Sequence, residues 1–199
     1  SGCVLSSAEF LYLFGKYLNE RGIDSIVAAA YRNSVPVFSP ALTDSAYGIA
    51  SILALKRGKR IVLDMVKDFE QLVQIGRNSK KLAAIYIGGG VPKDYINLMT
   101  VALTVLSAEE GEERYTSFEY AVQITTDNPV WGGLSGATLE EAVSWGKISP
   151  RARKRTVYVD ATIALPLIAH GLYELGIERR HRSPNFGWFF RNIQCIETK

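Results

Sequence analysis

Cysteine is nearly missing from this sequence: there are two in 199 residues, Cys3 and Cys195, near opposite ends. So sparse a pair excludes a disulfide framework and points to a reducing compartment. No apolar run reaches the roughly 18 residues that a membrane-spanning helix needs. The stretch Ser1 to Leu5 carries no basic residue, which excludes a secretory signal there, and no initiator Met stands at the front. Net charge is only +3, too little to argue for nucleic acid. Internal repeats and low-complexity segments are absent too. What remains is a globular, cytoplasmic chain without membrane or nucleic-acid partners. Its length fits one domain with a single large core.

Strand and helix signals alternate along the chain. Ser6-Ser7-Ala8-Glu9 reads as a capping box, followed by a helix that closes at Gly22. Further helices are expected over Asp24–Tyr31, Ser45–Leu55, Asp68–Ile75, from near Pro92, over Leu139–Ser144 behind Thr138, and over Ala161–Leu175. Short apolar runs at Val35–Phe38, Arg60–Leu63, Leu82–Ile87, Tyr120–Thr125 and Thr156–Val159 read as strands. Short continuous strands between helices predict an α/β fold with a parallel sheet covered on both faces. In such sheets ligands bind beyond the carboxyl ends of the strands. That nominates the loops Ala41–Asp44, Asp64–Asp68, Gly88–Lys93, Thr125–Lys147 and Asp160–Ala161. The tail from Glu178 is basic and aromatic, without a clear period.

Those loops hold the unusual residues. Gly88-Gly89-Gly90 lies between a strand and a helix, where glycines let a backbone approach a phosphate or simply make a tight turn. Asp44, Asp64 and Asp160 each follow an expected strand, where a carboxylate can hold ribose hydroxyls or cap a helix. Trp131 stands in a Gly- and Ser-rich loop. Lys147 directly follows Trp145-Gly146. An amine beside an aromatic wall can lose its proton by desolvation and act as a nucleophile. On composition alone the ordinary surface lysine is the favoured reading.

Longer stretches decide between these readings. Glu141-Ala142-Val143-Ser144-Trp145-Gly146-Lys147-Ile148 resembles the active-site segment of deoxyhypusine synthases. In the same order stand Tyr31-Arg32-Asn33, Val35 through Asp44, Tyr86 through Val91, Leu134 through Thr138 and Val157 through Ala161. The loop Asp127 through Gly133 resembles the archaeal and bacterial branch. The resemblance covers most of residues 8 to 176.

That resemblance implies a Rossmann-like domain, of which this chain is the C-terminal part over residues 1–199. It implies an enzyme that binds NAD and spermidine. Lys147 would take the aminobutyl group as an imine and pass it to a lysine of the hypusine-containing translation factor precursor. Asp44, Thr126, Asp127, Asp160 and Ala161 match NAD-contacting positions. Glu141 and Trp145, with Trp131, match the polyamine pocket. Three features depart from the eukaryotic pattern. Asp94 follows Lys93 where a His is expected, Ile49 replaces an Asp, and Trp131 and Leu134 stand at acidic positions. The N-terminal half of the family pattern is missing, which implies a second polypeptide and a symmetric assembly with two copies of each chain. Ser1 would arise by cleavage of a precursor, from a separate gene, or as a cloning remnant. A homospermidine synthase-like transferase would use the same cofactor and Lys147, and a non-catalytic regulatory subunit would need neither.

Overall fold

The computed structural model describes residues 2–112, 115–177, 186–191, 193 and 197–198. Ser1, Cys195 and most of the basic tail from Glu178 lie outside the described residues. In chain order the elements are β1 (Gly2–Leu5), α1 (Ser7–Glu20), α2 (Ile26–Arg32), α3 (Ala46–Lys56), β2 (Ile61–Leu63), α4 (Met65–Arg77), β3 (Ala83–Ile87), α5 (Val91–Glu109), β4 (Phe118–Thr125), a 3₁₀ turn at Pro129–Trp131, α6 (Leu139–Ser144), β5 (Ile148–Tyr158), α7 (Ala161–Glu174) and β6 (Glu197–Thr198). The architecture is α/β with parallel strand pairs, as the alternation predicts. The chain divides into two compact units, Ser1–Gln71 with Ser183–Lys199, and Leu72–Arg182.

In the first unit β1 pairs with β2 in parallel and with β6 antiparallel. The predicted capping box starts α1: Ser6 Oγ accepts from the Glu9 amide, and Glu9 Oε2 accepts from the Ser6 amide at 2.9 Å. Glu9 is buried, so its charge needs a partner. Lys67 Nζ supplies one at 2.8 Å. The fully buried Asp68 accepts from Ser7 Oγ and from the Ala8 amide, which ties the start of α1 to α4.

In the second unit β3, β4 and β5 form a parallel sheet in that order. Its core includes Tyr86, Met99, Leu103, Ile124, Leu139 and Ile148. Gly76 of α4 lets α5 approach closely, because a Cβ there would meet Met99 Sδ at 2.8 Å. The Tyr86 phenol is buried against Asn97 Oδ1, to which it donates at 2.7 Å, and burial raises its pKa above the ordinary value.

Several sequence expectations are corrected here. Val35–Phe38 is not a strand. The Val35 amide closes α2 by bonding to Ala30 O, and Pro36 has no N–H to give a ladder. Asp44 therefore follows a turn, its amide bonded to Ala41 O, and not a strand. β1, unforeseen, occupies the four residues before the first cap. β5 begins at Ile148 and not at Thr156. Its first half carries Pro150 and alternating basic residues, an edge-strand composition that conceals a strand from a search for apolar runs.

Two helices have little buried surface. No residue of α3 is buried, and in α7 only Ala164 is. Ile163, Leu167, Leu172 and Tyr173 of α7 are exposed, Leu167 to 70%.

Candidate functional site

The carboxyl ends of β3, β4 and β5 lie on one edge of the second sheet, because the three strands are parallel. Three loops leave that edge: Gly88–Gly90, the segment from Thr126 to Thr138, and Val159–Asp160. Gly88 and Gly90 have φ of 74° and 86°, conformations that favour glycine. Gly89 serves another need, since its missing side chain leaves room for the Ser135 backbone. Gln123, buried in β4, reaches Ser135 O at 3.4 Å.

Gly90 is the N-cap of α5 and supplies no side-chain cap. The first turn of α5 carries Lys93 and Asp94. Lys93 is buried, and its ammonium donates to Ala137 O. Burial lowers its pKa below the usual lysine value; Glu141 and Asp94 oppose that shift, and Lys147 adds to it.

Lys147 is held by its backbone. Its amide donates to Ala142 O at 3.0 Å, and its carbonyl accepts from the Phe118 amide at 3.1 Å. The long β4–β5 connection thus leaves from the carboxyl end of β4 and returns, at Lys147, beside the start of that strand. From there Nζ reaches Asp94 Oδ1 at 2.7 Å. The two side chains are 14% and 28% exposed. The Trp145 ring lies with its centroid 5.4 Å from the same Nζ. Trp145 is itself the C-cap of α6 and 72% exposed, so its ring borders open space beside the amine.

This lysine, carboxylate and indole sit on a segment with clear relatives. A family model described as deoxyhypusine synthase matches residues 2–172. The chain belongs to the deoxyhypusine synthase family. It is 48% identical over 185 residues to a probable deoxyhypusine synthase 2 of Methanosarcina acetivorans, covering 92% of this chain and 52% of that protein. A probable deoxyhypusine synthase 2 of Archaeoglobus fulgidus is 49% identical over 183 residues, 92% of this chain and 58% of its own. A deoxyhypusine synthase-like protein of Chlorobaculum tepidum is 41% identical over 172 residues, 84% and 48% of the two chains. The chain spans about half the length of the curated relatives it matches.

The other positions matched to the deoxyhypusine synthase pattern are distributed as follows. Thr126 and Asp127 follow β4 directly, and Asp160 and Ala161 follow β5, so all four share one sheet edge. Asp160 caps α7: its Oδ1 accepts from the Thr162 hydroxyl at 2.6 Å and amide at 2.8 Å. Those bonds lower its pKa below the usual carboxylate value. Asp64 caps α4 in the same way, accepting from the Val66 and Lys67 amides. Asp44 is exposed in the first unit, next to a cavity of about 400 Å³ lined by Phe10, Leu42, Tyr47 and Met65 among others. Glu141 completes the α6 capping box, accepting from the Thr138 amide at 2.7 Å. Trp131 is exposed in the 3₁₀ turn. In the sequence Asp94 stands out only as a departure from the eukaryotic pattern. The ion pair with Lys147 spans 53 positions, and no local spacing announces it.

Proposed function

We propose that this chain is the catalytic portion of an NAD-dependent aminobutyl transferase. Lys147 takes the aminobutyl group of spermidine as an imine and passes it to a lysine of the hypusine-containing translation factor precursor. The observation that carries this is the Lys147 amine, largely buried, 2.7 Å from Asp94 and faced by Trp145. A flat cation-binding ring next to a nucleophilic amine suits a polyamine.

The residues fit NAD. The N-terminus of α5 has no side-chain cap and stands beside glycines where a Cβ would meet nothing within 4 Å, which suits a phosphate. Asp127 and Asp160 flank the same sheet edge, where carboxylates can hold ribose hydroxyls. Thr162 uses only Oδ1 of Asp160 in both its bonds. Bound there, NAD would accept a hydride from the polyamine and later return it. Trp145 and Glu141 would hold the cationic chain, and Lys147 would carry the transferred group.

In this reading the portion corresponding to the rest of the relatives' length, on the same or a second polypeptide, completes the enzyme in a two-fold assembly. The exposed apolar surfaces of α3 and α7 support it, since contiguous apolar patches on a folded unit mark interaction sites.

The test is borohydride trapping. Incubation with NAD and spermidine, then reduction, should add an aminobutyl mass to Lys147, and Lys147→Arg should show none while still binding NAD. Arg cannot form the imine at accessible pH. Transfer by Lys147→Arg at the wild-type rate would end the proposal. Release of the group to a free polyamine instead of the protein acceptor would reassign the substrate and keep the lysine.

A further inference from the structure

We infer that Asp94 is the proton acceptor of Lys147, a catalytic role that rests on the reading of Lys147 as the nucleophile. The charged groups around the amine come from two helices. From α6 comes Glu141, whose carboxylate is bonded to the Thr138 amide. From α5 come Lys93, whose ammonium is turned to Ala137 O, and Asp94. Among the described residues, Asp94 is the carboxylate bonded to Lys147 Nζ, at 2.7 Å. Trp145 faces the same atom and has no base to offer.

The step balances without any further reactant. Neutral Nζ attacks the imine carbon of the oxidised polyamine, and a C–N bond forms. The new secondary ammonium gives its proton to Asp94. Asp94 returns that proton to the departing amine nitrogen as the old C–N bond breaks and the C=N bond to Lys147 forms. Nothing is oxidised or reduced in this exchange, because the imine was made by the earlier hydride transfer. At rest the same carboxylate accepts a hydrogen bond from Lys147 Nζ, so it is already in place to take the proton.

The full 199-residue chain, as purified, is treated with butanal and cyanoborohydride over a range of pH, and alkylation of the Lys147 peptide is timed by mass spectrometry. Asp94→Asn should cut the high-pH plateau rate by about 100-fold, the usual scale of general acid–base assistance. Asp94→Glu, which keeps the carboxylate, should recover at least part of the plateau. If Asp94→Asn does not fold, Asp94→Ser takes its place with the same expectations. An unchanged plateau would make Asp94 a tether and overturn its role as acceptor. Because no polyamine is used, the result is separable from substrate identity. If the plateau falls as expected but spermidine is not turned over, only the proposed substrate falls. If Lys147 reacts no faster than other lysines in the wild type, the nucleophile and its acceptor fall together.

Discussion

A single methyl group at Gly89 tests how closely the loops of the site depend on one another. A Cβ there would lie 2.4 Å from Ser135 Cα and 2.9 Å from Ser135 O. Non-bonded carbons settle at about 3.5–4.0 Å, so the Ser135 segment must retreat by roughly 1 Å or more. The obstructing atoms are backbone, with no flexible side-chain end to turn aside. Overpacking of this kind costs about 1–3 kcal/mol of stability. The larger effect is expected on chemistry. The displaced segment leads to Ala137, whose carbonyl holds Lys93, and to Thr138, which caps the helix ending at Trp145. A misplacement on the order of 1 Å at a reacting group costs about 100-fold in rate. The measurement is the rate of the trapped aminobutyl adduct on Lys147, alongside urea unfolding. Gly111→Ala, beyond the far end of α5, is the control. Its φ of 76° makes alanine strained, by about 1–2 kcal/mol, but its Cβ would point into open space. Gly111→Ala should therefore lose stability and keep its adduct rate within a few-fold. Equal loss of rate in both variants, or a wild-type rate in Gly89→Ala, would refute the reasoning.

Asp68→Ala removes the buried acceptor of Ser7 Oγ and the Ala8 amide and should cost roughly 3 kcal/mol in urea unfolding; a loss under 1 kcal/mol would show that water replaces it. Lys93 has a folded pKa below its unfolded value, so between the two the unfolded chain binds the extra proton and stability rises with pH. The stability of the wild type relative to Lys93→Met should accordingly increase from pH 7.5 to pH 10, and a flat difference would contradict the burial of its charge. Leu167→Glu, on the exposed surface of α7, should change unfolding by less than about 0.5 kcal/mol and abolish the proposed two-fold assembly in size-exclusion chromatography; an assembly of unchanged size would place that interface elsewhere.

What was legible in the sequence was local. The boxes Ser6–Glu9 and Thr138–Glu141 are set by three-residue spacing, and both appear with both of their hydrogen bonds. The turn Gly88–Gly90 with Pro92 announces the start of α5 for the same reason. The strands that escaped notice lacked local contrast. β1 is only four residues long, and β5 hides the stretch before Thr156 under Arg151, Arg153 and Arg155. Val35–Phe38 misled because apolar character was read as a ladder that Pro36 cannot complete. At the site, Lys147 and Trp145 were recognisable as a segment. Asp94 was not recognisable as their companion, because only folding brings the first turn of α5 to the end of the β4–β5 connection.

The pinned backbone of Lys147 has a kinetic consequence. With its amide bonded to Ala142 O and its carbonyl to the Phe118 amide, the residue has only side-chain torsions left to move. A group hanging from Nζ is therefore confined to the reach of one side chain, and that reach is fixed in the frame of one helix and one strand. In the proposed function Lys147 is a stationary handover point. Donor and acceptor amines would each travel to it, so the slow steps of such a cycle would belong to arrivals and departures, not to any excursion of the lysine.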